Sequence, residues 1–162
     1  MSSGGNTEAR GSEVATPFGG GAVSVRAEPF FLAEHSDAPG GRFVFGYRIR
    51  ITNSCERIIQ LLSRRWTVVD AVGRTREIEG EGVVGRQPIL GPGQSFQYES
   101  YCPIQTSWGT MDGAFTFRSR GPARPGETAS SLLDGPWPEN FEAKIGRFYL
   151  VVSPEAAGAS GP

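Results

Sequence analysis

Between Phe43 and Thr52 the chain alternates with a period of two. Phe43, Phe45, Tyr47, Ile49 and Ile51 fall on one face, and Val44, Gly46, Arg48, Arg50 and Thr52 on the other. Successive side chains of an extended strand point to opposite sides, so this run predicts a half-buried antiparallel strand. The same period returns at Phe96, Tyr98, Ser100 and Cys102 and again at Phe115 and Phe117. Runs of β-favouring residues at Val23 to Phe31, Gln60 to Asp70, Thr75 to Glu79 and Phe148 to Val152 complete the set, with Phe141 to Ile145 a weaker member. No segment shows a helical stripe of ten or more residues, and 23 Gly and 12 Pro favour turns over helices. Asp70-Ala71-Val72-Gly73 suits a hairpin, and Pro92-Gly93 supplies the preset φ and the positive φ of a type II turn. About seven short strands with no helices between them predict an all-β, antiparallel sandwich.

A length of 162 residues corresponds to one domain. The stretches 1–21 and 153–162 are small, polar and rich in Gly or Pro, and predict disordered tails around a folded unit at 22–152. Gly121 to Pro138 is too rich in Gly, Pro and Ser for an element and predicts a long excursion. Sixteen Lys+Arg against 17 Asp+Glu leave a net charge of -1, which provides no field to hold a polyanion; a nucleic-acid binder is excluded on this ground. The longest apolar run, Phe148 to Val152, falls far short of the ~20 residues of a membrane span. With no signal-peptide core at the start, a soluble cytoplasmic protein is expected. Cys55, Trp66 and Cys102 occur in the order of an immunoglobulin domain's bridge and core tryptophan. Cys55, however, follows the turn-like exit Thr52-Asn53-Ser54, so two reduced thiols are expected instead.

His35 is the only imidazole and lies in the polar stretch Glu34 to Asp37, with no second ligand at metal spacing. No metal site, cofactor or catalytic residue is predicted, and the chain reads as a non-enzyme. Gly80-Glu81-Gly82-Val83-Val84-Gly85 matches the G-x-G-x-x-G dinucleotide fingerprint, but that fingerprint works only where it opens a helix. Gln87-Pro88 and then Gly91-Pro92-Gly93 forbid the helix, so a Rossmann cofactor site is rejected. A bulged crossover between sheets explains the glycines most simply. The functional alternative is a turn whose N–H groups face an anion, with Arg64, Arg65, Arg74, Arg76 and Arg86 as counter-charges and Glu77, Glu79 and Glu81 opposed. The candidate binding residues are Arg64, Arg65, Gly80, Glu81, Gly82, Val83, Val84, Gly85, Arg86 and Gln87. Trp66 and Met111 read as core.

Six blocks, taken together, resemble the ApaG family. They are Gln60-Leu61-Leu62-Ser63-Arg64-Arg65-Trp66, Asp70-Ala71-x-Gly73, Gly80-Glu81-Gly82-Val83-Val84-Gly85-x-Gln87-Pro88, Pro92-Gly93, Cys102-Pro103 and Gly109-Thr110-Met111-x-Gly113. Their order and spacing span about Val23 to Leu150. The resemblance implies an immunoglobulin/fibronectin type III-like β-sandwich. It also implies a non-enzymatic binding or protein-interaction domain with a protein partner, and a connection with cobalt and magnesium homeostasis. Bacterial members are encoded near diadenosine tetraphosphate hydrolase, and in eukaryotes a similar domain is attached to F-box proteins and to a polymerase-associated protein. An alternative expectation is a phosphate-containing small-molecule partner, such as a nucleotide or a diadenosine tetraphosphate-like polyphosphate, held by the Gly80–Gly85 loop. Members commonly carry Arg-His-Trp where this chain has Arg64-Arg65-Trp66, so any role of that histidine is absent.

Overall fold

The computed structural model describes residues 10–152. In chain order its strands are β1 (Ser12–Phe18), β2 (Gly21–Phe31), β3 (Phe43–Asn53), β4 (Ile58–Asp70), β5 (Thr75–Glu81), β6 (Ile89–Leu90), β7 (Ser95–Ile104), β8 (Trp108–Arg120) and β9 (Glu139–Val151). They form two antiparallel sheets, one ordered β1-β2-β3-β7 and the other β5-β4-β8-β9 with β6 added to β4. The all-β antiparallel sandwich expected from the alternation is therefore present. Phe45, Tyr47, Ile49 and Ile51 of β3 face Trp66 and Val68 of β4, Phe115 and Phe117 of β8, and Ile145, Phe148 and Leu150 of β9 in one buried cluster. Trp66 lies at its centre, edge-on to Tyr47, Phe148 and Phe115 at centroid distances of 5.2, 5.8 and 6.2 Å. Cys55 and Cys102 are buried free thiols.

The structure corrects three boundaries. The expected tail 1–21 contains a strand, because Phe18 and Gly21 pair across Gly19 and Gly20, whose φ values of +57° and +80° are those of a two-residue hairpin turn. β1 then reaches the other sheet: Ser12 Oγ donates to the Gly146 carbonyl at 2.7 Å, the Lys144 N–H donates to Thr16 Oγ1 at 3.0 Å, and Phe18 stacks on Phe141 at 3.8 Å. The remaining tail residues, 1–9 and 153–162, lie outside the described residues. Second, Phe141 to Ile145 and Phe148 to Val151 are one strand, β9, with a register shift opposite Met111 and Gly113. Third, the excursion at Gly121 to Pro138 contains a short helix, α1 (Ala129–Asp134). Thr128 and Ser131 each accept the other's backbone N–H, which satisfies donors that a Gly- and Pro-rich context would leave open. The rest of that segment is pinned to β8 by the Arg120–Glu127 ion pair at 3.1 Å and by the Arg118 guanidinium 4.3 Å above the Trp137 ring.

Asp70 closes the β4–β5 hairpin as expected, its carboxylate accepting from the Val72 and Arg74 N–H groups at 3.1 and 3.0 Å. β5 and β7 are the outer strands on one side of the sandwich, and arginines tie them together at one end. Arg76 Nη2 donates to the Pro103 carbonyl at 2.9 Å and Arg74 Nη1 to Gln105 Oε1 at 2.6 Å. Further along this side the Gly-rich segment lies against residues of both sheets.

Candidate functional site

The Gly-rich segment owes its position to a bulge in β4. The β4–β8 register shifts between Leu61 and Ser63, so Leu62 is an extra residue outside that ladder. Its carbonyl accepts instead from the Gly82 N–H at 2.8 Å and from Gln87 Nε2 at 2.9 Å. Val83 and Arg86 then exchange backbone hydrogen bonds of 2.8 and 2.9 Å and close a tight turn. The loop is narrower than expected, since Gly80 and Glu81 belong to β5 and pair with Arg64 and Ser63. A Cβ at Gly80 would lie 2.6 to 2.8 Å from the Arg64 guanidinium, so a larger residue there would displace that side chain.

Arg64 is a clamp on this turn. Its Nη1 donates to the carbonyls of Glu81 at 3.0 Å and Gly82 at 2.8 Å, and no carboxylate among the described residues lies within ion-pair distance of it. A guanidinium has five N–H donors, so these two bonds leave others for a further acceptor. Val83 is fully buried and anchors the turn in the core, whereas Val84 is 55% exposed with φ +44°. A β-branched residue in the left-handed region is an outlier that costs roughly 1–2 kcal/mol, held here by the bonds on either side of it. Val84→Gly is accordingly expected to raise stability by up to ~1 kcal/mol, the relief of strain exceeding the entropy of a glycine. Urea unfolding measures this.

Beneath the turn lies a cavity of about 260 Å³ lined from both sheets: Tyr47 of β3, Arg64 of β4, Glu81 of β5, Tyr98 and Ser100 of β7, and Val83, Val84 and Gly85. The Tyr98 hydroxyl is buried and has no hydrogen-bond partner. Burial pushes both tyrosines above the usual phenol range; a hydrogen bond with Ser100 and the charge of Arg64 counter this for Tyr47, and Arg64 counters it for Tyr98. A phenol whose folded pKa is raised contributes stability that is fully present below the unfolded value of about 10 and is lost as pH rises from there toward the folded pKa. Stability is therefore expected to fall between pH 10 and 11, less steeply in Tyr98→Phe, as followed by urea midpoints at each pH.

Not all the predicted site residues meet. Arg64, Glu81, Val83, Val84 and Gly85 share this cavity, with Gly80 and Gly82 in the backbone around it. Arg86 and Gln87 line a separate shallow cleft with Pro88, Leu90 and Phe96. Arg65 has the opposite strand parity from Arg64 and is exposed, 3.1 Å from Glu142 of β9, in a second, outer cleft that it shares with Arg64, Glu79, Gly80 and Glu81. Arg74 and Arg76 hold the far end of the edge. The sequence reading missed Tyr47, Tyr98 and Ser100. The available signal was parity: three hydroxyls on faces whose other members are apolar, with Tyr47 directly opposite Ser100 in the β3–β7 register.

Two antiparallel sheets packed face to face, with β1 bonded across one edge to β9 of the other sheet, form a fibronectin type III-like sandwich. The ApaG domain profile matches residues 33–119. The chain is 42% identical over 130 residues to Protein ApaG of a Methylobacterium species, covering 80% of this chain and 88% of the relative. It is 46% identical over 98 residues to Protein ApaG of Mesorhizobium japonicum, covering 60% and 75% respectively. A crystal structure of the ApaA protein from Bordetella pertussis superposes with a TM-score of 0.71 at 33% identity, over 85% of this chain and 99% of that one. The chain belongs to the ApaG family. Among the described residues no helix is long and apolar enough to cross a membrane, and no group of three or more His, Cys, Asp or Glu is placed to hold a metal ion.

Proposed function

We propose that this protein is a non-enzymatic interaction domain whose contact surface is the turn from Gly80 to Gln87 together with Arg64, and whose partner is a protein. The observation that carries this reading is Val84, an exposed valine kept in a left-handed conformation at the tip of a turn tied down on both flanks. Local strain maintained by surrounding bonds is a mark of functional positions, and a rigid apolar tip loses little entropy on docking. The chemistry around it favours binding over catalysis: guanidinium and hydroxyl donors stabilise charge but supply no general base. A compartment in the cytoplasm and a tie to cobalt and magnesium homeostasis fit the family and belong to this proposal.

The nucleotide reading requires Arg64 and Arg86 to act on one phosphate group, yet they line different cavities. Three of the turn's N–H groups, those of Gly82, Val83 and Arg86, also donate to carbonyls of the chain itself, which leaves only the two at the tip, Val84 and Gly85, for an anion. Calorimetry with ATP and diadenosine tetraphosphate should show no heat at millimolar nucleotide, and micromolar binding lost in Arg86→Ala would reverse the assignment. Capture of partners from the source cell, compared between the native chain and Val84→Asp, tests the surface itself. The charge at an exposed tip leaves the fold intact and should remove the specifically retained protein; equal capture by both would refute the proposal.

A further inference from the structure

The geometry of the cavity beneath the turn points to a recognition pocket for a single carboxylate, presented by an acidic side chain of the protein partner. This rests on reading the turn as a partner surface and adds the chemistry of the group it receives. Tyr98, Tyr47, Ser100 and Arg64 line the cavity; with the Ser100 hydroxyl bonded to Tyr47 and Arg64 Nη1 to the turn's carbonyls, the donors left for an occupant are the unpartnered Tyr98 hydroxyl, the Tyr47 hydroxyl and the remaining guanidinium N–H groups. Leaving a buried hydroxyl unsatisfied costs ~1–3 kcal/mol, a cost that an acceptor entering the cavity removes. Glu81 is the one carboxylate in the lining, and it is an exposed residue whose own carbonyl already accepts from Arg64.

Charge and size narrow the occupant further. One guanidinium without a carboxylate partner balances one negative charge. Of the approximately two charges of a phosphate monoester, about one would remain uncompensated. The volume of 260 Å³ is below the ~300–1,000 Å³ of small-molecule sites and suits one side chain better than a nucleotide. Val83, Val84 and the two aromatic rings provide apolar walls for the methylenes of an acidic residue. Because the pocket opens at the side where β5 and β7 are edge strands, an extended segment passing the turn could insert one side chain while its backbone stays outside.

The test is an NMR titration of the full, isotopically labelled chain with an acetylated, amidated pentapeptide Gly-Val-Glu-Val-Gly, against the same peptide with Gln at its centre, glutarate and inorganic phosphate. The Glu peptide should give saturable shifts at the amides of Tyr98, Ser100, Val84 and Gly85. Its affinity should be at least fivefold higher than that of the Gln peptide, and phosphate should leave these amides in place. Tyr98→Phe should weaken binding at least fivefold while its urea midpoint is unchanged or higher, because the lost hydroxyl has no partner to leave behind. Ser100→Ala provides a second variant at the same pocket. Equal binding of the Glu and Gln peptides, equal shifts from phosphate, or undiminished binding in both folded variants would overturn the proposal. Tighter binding of glutarate than of the Glu peptide would overturn the assignment to a partner side chain. If the peptide fails while Val84→Asp still abolishes partner capture, the carboxylate pocket falls and the interaction surface stands.

Discussion

Trp66→Ala is expected to destabilise the protein by about 3–5 kcal/mol, a large part of the ~5–15 kcal/mol that holds a domain of this size together. The indole is 1% exposed and touches aromatic residues from both sheets: Tyr47 of β3, Phe115 of β8 and Phe148 of β9. Its Nε1 has no hydrogen-bond partner, so the loss is one of packing and cavity formation, not of a polar contact. Trp66→Phe should consequently retain more stability than Trp66→Ala. Equilibrium urea unfolding gives both values; a loss below about 1 kcal/mol for the alanine variant, at unchanged m, would mean that the two sheets do not pack through this ring.

Gly82→Ala should be the most damaging single change in the turn, at about 1–3 kcal/mol. Gly82 has φ +64°, and an added Cβ would lie 2.3 Å from the Arg86 carbonyl oxygen, a backbone atom that receives the Val83 N–H. Neither the conformation nor the contact can relax without opening the turn. The effect should be local: in hydrogen exchange the Val83 and Arg86 amides lose protection while β3 and β8 keep theirs. Gly85→Asn is the control, since Gly85 also has positive φ (+78°) but nothing within 4 Å of a Cβ, and Asn tolerates that region. Equal losses in the two variants would show that backbone conformation alone, and not the approach of Arg86, makes Gly82 necessary.

Much of the fold was legible because burial follows parity. The alternation at Phe43 to Thr52 and at Phe96 to Cys102 assigns the inward faces of β3 and β7, and these pair in one register from Phe43 opposite Ile104 to Thr52 opposite Ser95. β1 was hidden because Ser12, Val14, Thr16 and Phe18 form a weak stripe within a Gly-rich flank, and its partner on β9 lies more than a hundred residues away in the chain. The Gly19-Gly20 hairpin was the overlooked local signal. In the site, the rejection of a phosphate-binding helix followed from Pro88 and from Gly91-Pro92-Gly93, and β6 occupies that place. The role of Arg64 was not legible: a sequence shows an arginine near a glycine turn but not whether it faces solvent anions or the turn's own carbonyls. That distinction depends on the bulge at Leu62, which is a property of the β4–β8 pairing.

Site-specific photocrosslinking tests the central claim most directly. A benzophenone side chain at position 84 in the full chain, expressed in the source cell, is compared with the same group at position 133, an exposed leucine on α1. The account predicts a discrete protein adduct on irradiation from position 84, absent from position 133 and lost when Gly82→Ala opens the turn. No adduct from position 84, or the same adduct from both positions, would contradict the assignment of the Gly80 to Gln87 turn as the surface through which this protein acts.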